Sequence, residues 1–157
     1  MSPSDIASVR ASYLGLAPSL DQLVHRFYTL LFERHPEIRP KFPTDMERQK
    51  FHLAAALAIL FRNLDNFGAL EQPLMSLGAA HVGYGVKPEH YPLVREIMLE
   101  SIRSVAGEAW SSQLEGAWRE ALSQVCSTML KGAAAAALSM AREMAPPTGA
   151  TGRAHGA

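Results

Sequence analysis

The chain is short of cysteine, of concentrated charge and of long apolar runs, and each shortage narrows what it can be. Cys126 is the single cysteine, so no intrachain disulfide can form. Lysine plus arginine number 15 and so do aspartate plus glutamate, giving a net charge of zero, and no basic run exceeds two residues. Nucleic acids and anionic membranes are held by dense positive charge, so neither is an expected partner. No apolar run approaches the roughly 18 residues of a membrane span, and the N-terminus lacks the pattern of a signal peptide. A reducing cytoplasm is the expected compartment. There is no Gly-rich phosphate loop and no Ser/His/Asp or Cys/His arrangement, since Cys126 falls mid-helix with no evident base. The two-residue alternation of β-strands is missing as well.

What is present is helical. The 157 residues are 48% apolar and 19% charged, enough for one globular domain with a real core. Ser2 with Pro3, or Ser4 with Asp5, starts a first helix carrying Ile6, Val9, Tyr13 and Leu14, and Pro18 breaks it. A second helix runs from about Ser19 to His35 with Leu20, Leu23, Val24, Phe27, Tyr28, Leu31 and Phe32 in one stripe. Pro36, Pro40 and Pro43 make a bend with room for one short turn. A long helix is expected from about Asp45 to Leu64, a loop at "DNFG", and a short helix from near Pro73 to between Gly83 and Gly85. Pro88 restarts a helix reaching Val105. The last helix spans Trp110 to about Met144, capped by Ser111 or Ser112, with Ala133 to Ala137 simply extending it. The expected fold is all-α with six to eight helices. The domain covers residues 1–144, and "APPTGATGRAHGA" at 145–157 reads as a disordered tail.

A few polar residues stand out against these apolar stripes. His81 follows Leu74, Leu77 and Gly78 at steps of three and four, which puts it on the inner face of its helix. Gly78, one turn earlier, leaves room for something flat and close. A neutral imidazole suits iron or zinc. The competing reading is an ordinary histidine favoured by a helix C-terminus, and on spacing alone that reading is about twice as frequent. No second ligand stands at i+3 or i+4, so a protein-only zinc site is unsupported. A lone histidine facing an apolar cavity fits a haem axial ligand better. His90 reads as a surface residue at a helix start. Tyr28 interrupts a Leu/Val/Phe stripe. It is either a core tyrosine with a distant partner or a donor aimed at a ligand, at even odds. Gln49 and His52 open the third helix, and spacing does not decide which reaches inward. Phe42 in the proline bend is either packing or a wedge against a cofactor.

Three segments together resemble the globins, specifically bacterial single-domain haemoglobins related to the haem domain of flavohaemoglobins. They are "FYTLLFERHPEIRPKF", "DMERQKFHLAAALAILFRNLDN" and "LGAAHVGYGVKPEHYPLV", and the likeness spans about residues 5 to 131. The resemblance puts the characteristic proline at Pro36, the haem-packing phenylalanine at Phe42 and the distal tyrosine at Tyr28. Its glutamine–leucine pair falls on Gln49 and Leu53, and its proximal histidine and tyrosine on His81 and Tyr91. One position departs. The glutamate that the family carries about four turns after a tryptophan matching Trp118 is Ala133 here.

What the resemblance implies is a globin fold around haem b, with His81 as the iron ligand. The apolar walls would be Phe42, Leu53, Leu57, Leu77, Val86, Val94 and Met98, with Tyr91 on the proximal side. Tyr28 and Gln49 would act as the distal hydrogen-bond donors that make dioxygen binding tight and release slow. The other implied role is nitric oxide dioxygenase. With no flavin or nicotinamide domain following the globin, turnover would need a separate reductase. A monomer or a homodimer is expected.

Overall fold

The computed structural model describes residues 1–147, so the tail expectation lies largely outside the described residues. Residues 145–147 are irregular and exposed. Six α-helices form the chain: α1 Pro3–Leu16, α2 Leu20–Arg34, α3 Glu47–Arg62, α4 Phe67–Gly83, α5 His90–Ala106 and α6 Ser112–Met144. Short 3₁₀ turns join several of them, and no strand occurs among the described residues.

Local chemistry sets most boundaries. The Ser2 hydroxyl accepts from the Asp5 N–H at 3.0 Å while the Asp5 carboxylate accepts from the Ser2 N–H at 3.2 Å, a reciprocal cap with Pro3 in the first turn. Ser111 caps α6 by accepting from the Leu114 N–H at 3.1 Å. Pro18 sits in a three-residue turn between α1 and α2. Leu14, expected on the buried stripe of α1, is 66% exposed, and Leu16 takes its place in the core. α1 also has only one face against its neighbours, so a residue five positions from Val9 turns outward.

The larger correction is at α4. "DNFG" is no loop, because Leu64–Asn66 forms a 3₁₀ turn and Phe67 already starts the helix. Pro73 therefore lies inside α4, not at its start. A proline there removes one N–H bond, and burial of Leu70 and Leu74 against the core outweighs that loss.

The core is an aromatic and aliphatic centre joined across distant elements. Trp118, fully buried, donates its indole N–H to Ser12 at 3.0 Å and meets Phe61 edge-on at 4.6 Å, and Phe61 meets Tyr13 at 5.5 Å. α1, α3 and α6 are thereby locked together. α2 packs on α5 and α3, and α4 lies along α6.

The α4–α6 crossing is unusually close. A Cβ on Gly78 would stand 1.9 Å from the Met129 carbonyl oxygen, and one on Gly132 would stand 1.9 Å from the Met75 carbonyl oxygen. Gly78 thus makes room for the backbone of α6, not for a flat ligand. The two glycines are arranged reciprocally, each against the residue three positions before the other, as an antiparallel crossing requires.

Either Gly78→Ala or Gly132→Ala should force these helices apart and destabilise the fold by about 2–3 kcal/mol or more, the range for overpacked cores. Gly68→Ala and Gly116→Ala, with nothing within 4 Å of the added carbon, should be neutral or stabilising by up to about 1 kcal/mol. Thermal unfolding of the four variants side by side checks this, and equal melting temperatures would refute the close-crossing account.

Candidate functional site

α2 and α3 converge on Tyr28 and Gln49. Tyr28 projects from the buried stripe of α2 and is 5% exposed. The Gln49 Nε2–H donates to its hydroxyl oxygen at 3.1 Å, from the first turn of α3. The hydroxyl accepts in this bond, so its own proton remains available, with no acceptor among the described residues. Burial pushes the Tyr28 pKa above its ordinary value, opposed in part by the Gln49 bond. The hydroxyl therefore stays protonated and a donor. Spacing left Gln49 and His52 as alternatives, and the structure joins Gln49 to Tyr28. His52 is exposed and faces Phe51, ring to ring at 6.2 Å.

Phe42 completes an aromatic group with Tyr28 at 5.8 Å and Phe32 at 5.3 Å, both edge-on. The bend that carries it is held by Arg39. One guanidinium nitrogen donates to the carbonyls of Phe42 at 3.3 Å and Pro43 at 2.9 Å, the other to Thr44 at 3.1 Å, and the group lies 4.9 Å over the Phe32 ring. Sequence reasoning missed Arg39 and Phe32. An arginine serving backbone carbonyls leaves no spacing pattern, and Phe32 had been read only as core.

His81 lies half-buried in the last turn of α4. Its Nδ1–H donates to the Leu77 carbonyl at 2.7 Å, which fixes the tautomer and leaves Nε2 with its lone pair. α4 ends at Gly83; the chain then turns at Gly85, whose φ of 79° is one that glycine adopts freely, and the His81 carbonyl accepts from both the Tyr84 and Val86 N–H groups at 3.1 Å. His90 is the first residue of α5, as expected, and is half-buried. Its Nδ1 accepts from the Lys87 N–H at 2.9 Å, so it organises the start of α5.

Tyr91, on the first turn of α5, is buried, yet its hydroxyl has no partner among the described residues. Ala133, where a carboxylate would be expected, is buried on α6 and offers none. Burial raises the Tyr91 pKa, and the neighbouring Cys126 adds to the rise.

Leu57 and Met98 are buried, and Leu53 and Val86 are half-buried. Leu77, one turn before His81 on α4, and Val94 on α5 are left 40% and 36% exposed. Among the described residues no three His, Cys, Asp or Glu side chains gather to hold a metal ion. The donor set is thus one imidazole with a free lone pair, open apolar side chains near it, and a tyrosine–glutamine donor pair on other helices. That set fits a flat, mostly apolar group bringing its own metal ligands, and it does not fit a bare ion.

The globin family profile matches residues 25–129. The flavohemoprotein of Bordetella pertussis is 33% identical over 133 residues, covering 83% of this chain and 33% of that protein. The chain therefore spans about a third of the length of that relative. A globin-like protein of Aquifex aeolicus is 31% identical over 69% of this chain and 77% of its own. Among solved structures, an engineered carbene transferase, a proposed nitric oxide dioxygenase from Rhodothermus marinus, superposes with a TM-score of 0.81 at 33% identity. The match covers 90% of this chain and 99% of that one. A bacterial globin from Campylobacter jejuni shares the fold with a TM-score of 0.72. This chain belongs to the globin family, whose members hold a haem.

Proposed function

We propose that residues 1–144 form a globin domain that holds haem b, with His81 as the iron ligand, and binds dioxygen tightly. The observation that carries the proposal is the Tyr28–Gln49 pair. The tyrosine hydroxyl accepts from glutamine and so has a proton left to donate from a buried position. The iron, when bound, supplies a coordination position for a diatomic gas. The rest of the work falls to the chain. His81 offers Nε2, its ring held by the Leu77 carbonyl. Phe42, Leu53, Leu57, Leu77, Val86, Val94 and Met98 supply apolar walls, with Tyr91 beside them. Tyr28 and Gln49 donate to a ligand that gathers negative charge.

A hydrogen bond to such a ligand is worth about 1.5–3 kcal/mol, or tenfold and more in residence time. Carbon monoxide gathers less charge and gains less. Tight holding with slow release suits scavenging or reaction better than transport. The cytoplasm is the compartment we assign.

A second reading is nitric oxide dioxygenase, converting nitric oxide and dioxygen to nitrate. It is supported by the Rhodothermus marinus relative and by the flavohemoproteins. Tyr28 and Gln49 would then hold dioxygen in place for attack, and a separate reductase would supply electrons. Nitrate formed beyond one equivalent per haem, with a reductase present, favours this reading. Its absence with every reductase tried favours binding alone.

Two outcomes are expected. The visible spectrum of the purified protein, reduced with and without carbon monoxide, should show a strong haem band that His81→Ala loses or shifts to a weakly ligated form. A colourless protein that takes up no haem would overturn the proposal. Tyr28→Phe should speed dioxygen dissociation about tenfold or more while changing carbon monoxide dissociation much less. Because the Tyr28 pKa is raised, the wild-type dissociation rate should stay flat from about pH 6 to about pH 9, below the ordinary tyrosine range near 10. Stopped-flow measurement decides both, and equal effects on the two gases would refute the hydrogen-bond account.

A further inference from the structure

A second concave site lies away from Tyr28 and His81, where α2, α5 and the start of α6 meet. It is an open cleft of about 440 Å³, within the range of small-molecule pockets. Its apolar base is Leu99, 4% exposed, beside the half-buried Trp110. The Trp110 indole N–H donates to Glu115 at 3.4 Å, so the ring is tied to the wall.

The charges around the cleft do not cancel. Glu96 is held by Arg119 through both carboxylate oxygens and by Arg95 at 3.4 Å. Glu100 pairs with Arg34 at 2.6 Å, and Glu115 with Arg119 at 3.4 Å. All three acids lining the cleft are thus already partnered. The two arginines lining it, Arg26 from α2 and Arg103 from the last turn of α5, have no carboxylate and no hydrogen-bond acceptor among the described residues. Two exposed guanidinium groups on different helices therefore line one cleft with no protein partner for their donors among the described residues, beside Leu99 and Trp110.

We propose that this cleft binds a small organic carboxylate with a flat apolar body, the carboxylate bridged by Arg26 and Arg103 and the body lying against Leu99 and Trp110. Guanidinium matches a carboxylate with paired N–H donors. Each acid nearby is already engaged by an arginine, which disfavours a cationic ligand relative to an anionic one. The site is separate from the proposed haem pocket, so binding here goes beyond the gas-binding reading and does not depend on it.

The test uses the protein as purified and 2-naphthoate as the probe, with 2-naphthamide as the uncharged analogue and acetate as the charge without the body. Equilibrium dialysis should show saturable 2-naphthoate binding, with the amide and acetate each much weaker. Arg26→Ala and Arg103→Ala should each weaken it about five-fold, the upper end for an exposed ion pair, with unchanged melting temperature. The absorption spectrum should not move on binding. No saturable binding at millimolar probe, equal binding of the amide, or binding unaffected by both substitutions would overturn the proposal. A spectral shift on binding would also overturn it, by placing the probe at the gas site. Loss of haem in the purified protein would defeat the gas-binding proposal and leave this one standing.

Discussion

The structure depends on how closely α4 can lie on α6. Two glycines permit it, Gly78 against the Met129 carbonyl and Gly132 against the Met75 carbonyl. A side chain at either position would occupy the space of a backbone oxygen, so the contact is set by exclusion volume and tolerates little adjustment. His81 stands less than one turn beyond Gly78, and its ring is further held to Leu77 of the same helix. The height and rotation of the imidazole therefore follow from where α4 is pinned. Pro73 within α4 weakens that helix locally, which makes the packing against α6 more important to its position.

The Tyr28–Gln49 pair is organised by a different force. Tyr28 is buried and would be costly with nothing to bond to, and Gln49 satisfies its oxygen from a neighbouring helix while leaving its proton to spare. The aromatic contacts to Phe32 and Phe42 keep the ring where the hydroxyl is useful. Arg39 holds the proline bend through three carbonyls, so Phe42 is placed by an ion's need for acceptors as much as by hydrophobic burial. Rigid placement of this kind reduces the reorganisation a ligand must drive.

The proximal side is plainer. The His81 partner is a carbonyl, and the Tyr91 hydroxyl on α5 has no partner among the described residues. Ala133 offers that hydroxyl no carboxylate. The selectivity proposed for this globin rests mainly on the Tyr28 and Gln49 donors.

The all-α class, the six helices and most helix ends were legible in the residues, because apolar periodicity, serine caps and prolines act over a few positions. Candidate site residues were legible as oddities, a tyrosine in an apolar stripe and a histidine on an inner face. Their pairing was not. Spacing could not choose between Gln49 and His52, since the choice depends on how α3 turns toward α2. Sequence reading gave Gly78 to a ligand when the backbone of α6 occupies that space, and it started α4 too late, at Pro73, because a proline reads locally as a beginning. The Arg39 clamp and the unpaired arginines beside Trp110 join residues far apart in the chain. Local order in the chain determines which segments are helices and which faces are apolar. Only the packed helices decide which polar groups meet, because hydrogen bonds and close contacts act over a few ångströms between segments whose separation along the chain carries no record of it.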